Sequence, residues 1–329
     1  MKLQEFLGTD IKYTTDGIAS DQELATQIQI LLVNLELLDP PADGKFGPIS
    51  TAALQDFQTL MDCNEPGYIG AVTAKKLIEA KTEDLSAPEL NLGDDLASLI
   101  VRYMLDKDYK IFQGEKRYNI VYIEGMNVDG SLNNDTPNYF NDRRMVLQIL
   151  DGTPAIIGNW EATTEPGRHY TVVRPMNPKG AARVKFGQYK AWRIGIHGTS
   201  EPHEALVQVG GVISVHRDFN KDFKRTKDKI DTGYFGINQH HGYDLPHNNV
   251  YYASAGCLVG RTRRGHQQFM SLIKQDRRYQ LNREYTFYGT IIPGDDLIRS
   301  TARHNTSKIL ENVSSGFFDQ ADKDLTLIR

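Results

Sequence analysis

The residues best suited to chemistry lie in one segment, residues 236–264. It contains Cys257, which follows the small residues Ser254 and Gly256. His241 stands sixteen positions before the cysteine. A cysteine attacks as its thiolate, so it needs a base within hydrogen-bond reach and N–H donors for the oxyanion that forms on the attacked carbonyl. Histidine can be the base and the backbone of the small-residue turn can donate, so the segment predicts a histidine-activated cysteine nucleophile.

Two histidines that precede a glycine compete for the role of base. His241-Gly242 ends a predicted strand, whereas His197-Gly198 lies 60 positions before Cys257. We favour His241 and keep His197 as the alternative. A catalytic thiol is expected to have a depressed pKa and to react rapidly near pH 7, whereas a buried structural thiol is not.

A metal site is a second alternative in the same region. Zinc ligands could come from a scattered set: His197, His203, Glu204, His241 and Asp244. Its spacing matches no HExxH-type motif. Oxygen donors also alternate over residues 218–222, but Phe223 and Lys229 stand where a calcium loop needs Gly and Glu. We therefore predict that no metal or organic cofactor is needed.

Helical periodicity over residues 15–85 predicts a small three-helix domain. The first helix begins at Ser20, with Glu23 completing a capping box. Its apolar residues recur at spacings of three and four: Leu24, Ile28, Leu31, Leu32 and Leu35. A second helix begins near Ser50, and a third covers residues 73–78.

Beyond a polar linker at residues 86–94, the pattern predicts a mainly β domain over residues 95–295, of sandwich or barrel type. Short runs of branched and aromatic residues predict its strands: Tyr118–Ile123, Met145–Leu150, Tyr170–Val173, Trp192–Ile196, Val212–Val215, Tyr234–Ile237 and Tyr285–Ile292. Two helices are expected, at residues 94–105 and 264–275. Residues 296–329 are interpreted as a C-terminal extension, and the fold class is α+β with two domains.

The pattern His-Gly, followed at sixteen positions by the Cys of Ser-x-Gly-Cys, resembles the signature of the L,D-transpeptidase (YkuD-like) catalytic family. The resemblance implies that Cys257 is the nucleophile, that His241 is its base and that the backbone of Gly256 and Cys257 forms the oxyanion site, with Ser254 completing the motif. The family usually has Arg two positions after the Cys, where this chain has Val259. The predicted substrate-binding residues are Arg261, His240 and His197.

Residues 41–58, PADGKFGPISTAALQDFQ, resemble the three-helix peptidoglycan-binding domain. The residues that carry the resemblance are Asp43, Gly44, Phe46, Gly47 and Phe57. Since the aromatic residues are expected in the core and the others in a turn, the motif is mostly scaffold. The ligand, peptidoglycan, is implied by the resemblance alone.

Composition restricts the remaining function classes. The 329 residues carry 38 Lys and Arg against 42 Asp and Glu, a net charge of -4 that disfavours generic nucleic-acid binding. No apolar run approaches the roughly 18 residues of a membrane span. Two cysteines 194 positions apart form no disulfide framework. The N-terminus lacks a signal-peptide pattern, so we expect synthesis in the cytoplasm and delivery to the cell wall by lysis, in a virion or injection assembly, or by another non-Sec route.

Together these features predict a peptidoglycan-binding cysteine enzyme that acts on stem peptides through a thioester. Attack by an amine would give transpeptidation, whereas attack by water would give carboxypeptidase or endopeptidase activity. The alternatives are a non-catalytic cell-wall-binding structural protein and a zinc-dependent peptidoglycan peptidase.

Overall fold

The structure is a computed structural model that describes residues 1–85 and 89–300. The chain divides after Glu89 into two compact units. Within the described residues, every helix is too short or too polar to cross a membrane.

The first unit is helical, with one short two-stranded antiparallel sheet. Its elements are β1 (Tyr13–Thr14), α1 (Thr15–Ala19), α2 (Gln22–Asn34), α3 (Pro48–Leu60), β2 (Tyr68–Ile69) and α4 (Ala71–Glu79), with 3-10 turns at Leu3–Phe6 and Thr82–Asp84. The three predicted helices correspond to α2, α3 and α4. Their apolar faces form one core with Leu24, Ile28 and Phe57 fully buried.

The predicted helix starts are wrong by a few residues. The N-cap of α2 is Asp21, whose Oδ1 accepts a hydrogen bond from Leu24 N at 3.1 Å, and the expected capping box at Ser20 does not form. Helix α3 begins at Pro48, because proline fits the first turn where no amide partner is needed. Ser50 is therefore inside the helix, where its hydroxyl accepts from Gln29 Nε2 at 2.9 Å.

The second unit contains a closed barrel of eight strands and a separate three-stranded sheet. Its elements are α5 (Leu96–Asp106), β3 (Tyr118–Glu124), β4 (Asp142–Leu150), β5 (Thr153–Thr163), β6 (Ala181–Val184), β7 (Gly187–His197), β8 (His203–Gln208), β9 (Ile213–Asp218), β10 (Lys229–Gly233), β11 (Gln239–His241), β12 (Leu258–Gly260), α6 (Arg263–Ile273), α7 (Arg277–Leu281) and β13 (Phe287–Pro293). The barrel order is β11-β12-β5-β4-β3-β13-β7-β8, and the sheet order is β10-β9-β6.

The mainly β class with few helices is confirmed, but two predicted strands are not. Residues His169–Val173 form a π-helical turn, and residues 234–237 have no regular structure. The predicted boundary at residue 296 is also wrong, because residues 294–300 are helical and Leu297 is buried in the core. The rest of the predicted extension, residues 301–329, lies outside the described residues.

A buried ion cluster connects the barrel to the three-stranded sheet. Arg183 of β6 places Nη2 at 3.0 Å from Glu124 Oε1 of β3 and at 3.3 Å from Asp135 Oδ2, and it also contacts Glu165. A second guanidinium, Arg225, donates to both carboxylate oxygens of Glu124. The cluster therefore holds β6 against the barrel.

The carboxyl groups of Glu124 and of its neighbour Asp142, which share the hydroxyl of Thr164, differ in protonation. Burial opposes ionisation of Glu124, but the guanidinium groups of Arg225 and Arg183 lower its pKa to about 2. Burial and the negative charge of Glu124 raise the pKa of Asp142 to about 8, so Asp142 holds its proton at pH 7.

Candidate functional site

Cys257 lies in the wall of a cavity of about 520 Å³ in the second unit. Two of the histidines that line the cavity with it are His197, at the end of β7, and His240, in β11. Aromatic side chains form much of the remaining wall: Tyr170, Phe235, Tyr243 and Tyr252. The cavity therefore combines a thiol, two imidazoles and aromatic rings.

Strand pairing places Cys257 and His240 on one face. Strands β11 and β12 pair in parallel with His240 opposite Val259. Cys257 stands two residues before Val259 and packs against the same small apolar cluster. Side chains alternate along a strand, so Cys257, Val259 and His240 share a face, whereas His241 points to the other face.

The thiol of Cys257 is neutral at rest. Its Sγ accepts a hydrogen bond from Asn238 N at 3.4 Å and lies 3.6 Å from Gly236 O, to which the S–H can donate. Burial raises the pKa of the Cys257 thiol to about 11, and the Asn238 N–H offsets this only in part. A catalytic thiol was expected to have a depressed pKa, whereas the pKa of Cys257 is raised. For Cys257 to act as a nucleophile, a base would have to remove its proton during the attack.

Hydrogen bonds assign His240 the tautomer of a base. Its Nδ1 lies 2.8 Å from the carbonyl oxygen of His241, which can only accept, so Nδ1 carries the proton and Nε2 carries the lone pair. Burial, with a smaller effect of His197, lowers the pKa of His240 well below its usual value of 6.5. The ring is thus neutral at physiological pH.

His197 has the opposite tautomer. The amide of Asn238 is oriented by its Oδ1, which accepts from Gln208 N at 2.9 Å, so its Nδ2 donates to His197 Nδ1 at 2.9 Å. Nε2 of His197 must then carry the proton and act as a donor. The ring stacks on His240 with centroids 3.9 Å apart. Burial, followed by His203, lowers the pKa of His197 to about 4.

His241 is placed differently from the sequence prediction. Its Nδ1 accepts a hydrogen bond from Tyr243 N at 3.2 Å, so its lone pair is already used. Nε2 lies 3.5 Å from Glu201 Oε1, and the ring stacks on His203 at 3.7 Å. His241 lines the opposite face of β11 and does not line the cavity that contains Cys257. Of the two histidines weighed from sequence, only His197 reaches that cavity.

The turn before Cys257 is closed by Ser254. Its hydroxyl donates to Cys257 O at 2.9 Å and accepts from Gly256 N at 3.1 Å. Gly256 has φ +130°, and a Cβ there would lie 2.6 Å from Ala182 O, so glycine is required. The predicted oxyanion role of the Gly256 amide needs correction, because that N–H already has a partner.

The predicted substrate-binding Arg261 does not line the cavity. Its Nε pairs with Glu161 Oε2 at 2.5 Å, and its Nη1 donates to Leu245 O at 3.4 Å. The arginine that does line the cavity is Arg217 of β9. Sequence reasoning missed it because nothing local to Arg217 indicates that β9 contributes to the wall of this cavity.

The histidines of the zinc set predicted from sequence lie near one another, with His203 stacked on His241, but the set does not bring three ligand atoms together. In residues 1–85 and 89–300, one group of three or more metal-ligating side chains brings its ligand atoms within 4.8 Å of one another, Glu124, Asp135 and Glu165. The guanidinium of Arg183 already lies among these carboxylates. In the calcium-like segment, Asp218 accepts from the backbone N–H of residues 222 and 223, which is ordinary turn geometry.

In the first unit, the motif residues are scaffold, as predicted. Asp43 Oδ1 accepts from Lys45 N at 3.0 Å, and Gly44 adopts φ +74° with its N–H donated to Gln29. Gly47 is the N-cap of α3. The aromatic members are buried: Phe46 and Phe57. A depression beside this turn is lined by Ala19, Gln22, Gly44, Lys45, Phe46 and Gly47.

Residues 21–77 match the family described as the putative peptidoglycan binding domain. The resemblance predicted for the N-terminal domain is confirmed. The match thus covers helices α2, α3 and most of α4.

Among solved structures, the chain is similar to a fused Zn-dependent amidase/peptidase/peptidoglycan-binding domain-containing protein from Clostridium acetobutylicum. The identity is 14% and the TM-score 0.28, over 86% of this chain and 100% of the other. It is also similar to an L,D-transpeptidase from Xylanimonas cellulosilytica, with 15% identity and a TM-score of 0.24, over 81% of this chain and 92% of the other. No curated protein sequence matches the chain.

Proposed function

We propose that this protein is a peptidoglycan-binding enzyme that uses Cys257 as a nucleophile on stem peptides. One observation carries the proposal: Cys257 shares a cavity with two neutral histidines of opposite tautomer. His240 offers a lone pair at Nε2, and His197 offers a proton at Nε2. A base and an electrophilic donor beside one thiol are what acyl transfer through a thioester requires.

In the proposed reaction, His240 Nε2 takes the proton of Cys257 as the sulfur attacks the peptide carbonyl. The new C–S bond converts the carbonyl oxygen to an oxyanion, which accepts the Nε2–H bond of His197. Collapse breaks the C–N bond, and the leaving amine takes the proton from His240. The resulting thioester then reacts with an amine, which gives transfer, or with water, which gives hydrolysis.

This assignment replaces His241 by His240 as the proposed base. The reason is geometric, since the lone pair of His241 is occupied by Tyr243 N. The peptidoglycan-binding domain would hold the polymer and raise the local concentration of stem peptides near the cavity. Substrate-binding roles remain proposed for His197 and the cavity wall, and not for Arg261.

A wall-binding protein without catalytic activity is the second candidate, and the raised pKa of Cys257 favours it. The two candidates separate with purified peptidoglycan sacculi. We expect wild type to release or join muropeptides, detected by mass, and the change Cys257→Ala to abolish these products. Cys63→Ala is the matched control, because Cys63 is the other cysteine and is buried in the first unit. If wild type and Cys257→Ala bind sacculi and give the same products, the catalytic proposal is wrong.

The lowered pKa of His240 determines how the proposed reaction depends on pH. The base must be neutral, and the pKa of His240 is lowered by burial, so the active form persists below pH 6.5. We expect kcat/KM to change little between pH 8 and 6 and to fall only in more acidic solution. The measurement is kcat/KM for a soluble stem peptide across this range. An acid limb with an apparent pKa near 6.5 would instead indicate a solvent-exposed histidine as the base.

A further inference from the structure

The cavity beside Cys257 has a charged wall that the proposed mechanism does not use. Among the described residues, its lining includes Arg217 but no aspartate, glutamate or lysine. Its two histidines, His197 and His240, are neutral because burial lowers their pKa values. Arginine keeps its charge at every physiological pH. Arg217 is therefore the one cationic side chain among the described residues that line the cavity with Cys257.

Sheet geometry directs Arg217 toward this cavity. Arg217 of β9 stands opposite Ala182 of β6 in an antiparallel pair, so both side chains lie on one face of the sheet, and both line the cavity. The guanidinium carbon of Arg217 lies 4.5 Å from the ring centre of Phe235, another lining residue. The side chain is only 6% exposed. The guanidinium is therefore buried and held against an aromatic ring in the cavity wall.

The charge of Arg217 is only partly compensated. Its Nε donates to Asp231 Oδ2 at 3.3 Å, and Lys179 Nζ lies 3.2 Å from the same oxygen. One carboxylate is thus shared between two cations. Within the described residues, this is the single hydrogen bond that the guanidinium donates to protein, whereas the group has five N–H bonds. Both terminal nitrogens remain for a planar acceptor.

We propose that Arg217 binds a carboxylate of the peptide whose carbonyl Cys257 attacks, and so selects acidic peptides. The reaction named here rests on the proposed function, but the binding does not. A carboxylate fits the two terminal nitrogens in a bidentate pair, a geometry that lysine cannot reproduce. The carboxylate can be the C-terminus of the peptide or an acidic side chain near the scissile bond, and both present the same chemistry.

Binding to the full chain carrying Cys257→Ala tests this without turnover. The probes are a synthetic stem-type peptide with both carboxylates free, its C-terminal carboxamide and its side-chain carboxamide. One charge-assisted interaction corresponds to about a 10- to 100-fold change in Kd. We expect one of the two amides to bind that much more weakly, which identifies the source of the carboxylate. Arg217→Gln, added to the Cys257→Ala chain, should remove the difference in Kd between the peptides. The control change Arg261→Gln should leave this difference in place.

Arg217→Lys keeps the positive charge but lacks the two coplanar N–H donors of the guanidinium. It should therefore leave a reduced preference for the peptide with the free carboxylate. It also serves if Arg217→Gln fails to fold, which thermal unfolding would reveal. Equal Kd values for all three peptides, or a preference that survives Arg217→Gln, would overturn the proposal. Failure of the proposed function has a different signature, because Cys257→Ala would then process peptidoglycan like wild type whatever the binding data show.

Discussion

Changing His240 to Gln is expected to lower the rate of peptide processing by about 10² to 10⁴, the usual contribution of a general base. Glutamine can still donate to the carbonyl oxygen of His241, so the local fold is kept, but it has no lone pair of comparable basicity. The effect should be in kcat, because the change removes a proton acceptor and leaves the cavity wall in place. Single-turnover rates with a soluble stem peptide measure it.

His241→Gln is the matched control, because the two histidines are adjacent in β11 and are 2% and 4% exposed. We expect the control to retain activity within about tenfold, since His241 contacts Tyr243 and Glu201 instead of the cavity. Thermal unfolding of both variants separates loss of chemistry from loss of fold. A large loss in His241→Gln with near-normal rates in His240→Gln would restore the base predicted from the His-Gly pattern.

Changing Arg183 to Met is expected to destabilise the second unit by about 3–5 kcal/mol, the typical effect of removing one partner from a buried ion pair. Glu124 and Glu165 are 6% and 2% exposed and would then face each other with Arg225 as the remaining guanidinium in the cluster. The loss should also loosen β6, which carries Ala182 in the cavity wall.

Urea unfolding followed by tryptophan fluorescence measures this effect. Both tryptophans, Trp160 and Trp192, lie in the second unit, so the signal reports that unit alone. Lys179→Met is the control, because Lys179 is an exposed cation paired with Asp231 beside the same sheet. An exposed pair contributes at most about 1 kcal/mol. Equal destabilisation by the two changes would mean that the buried cluster has no special role.

The helices were predictable from sequence because an amphipathic helix carries its own periodicity over three or more turns. Helices α2, α3, α5 and α6 all lie within a few residues of their predicted positions. Short apolar runs are ambiguous, and the run 170–173 forms a π-helical turn where a strand was expected. Strands such as β11 and β12 have only three residues each. Their pairing depends on the closure of the barrel, so no pattern in the local sequence predicts it.

The candidate site, like the fold, could be predicted from sequence only in part. Cys257 was recognisable because its turn needs small residues, and Gly256 indeed adopts a conformation that favours glycine. The choice between His240 and His241 as the base was not predictable, since it depends on which face of β11 is turned toward the cavity. The position of Arg217 in the cavity wall could not be predicted from any local pattern, because two strand pairings bring this residue there. Spacing thus singled out Cys257 as the candidate nucleophile, while tertiary packing decides which histidines share its cavity.

The central claim is that Cys257 forms a covalent acyl intermediate. The most direct measurement is the intact mass of the protein after brief reaction with a soluble stem peptide and acid quenching, followed by peptide mapping. We expect an added mass equal to the acyl fragment, mapped to Cys257, lost in Cys257→Ala and formed more slowly in His240→Gln. Turnover by Cys257→Ala at the wild-type rate, with no adduct on the wild-type protein, would contradict the account.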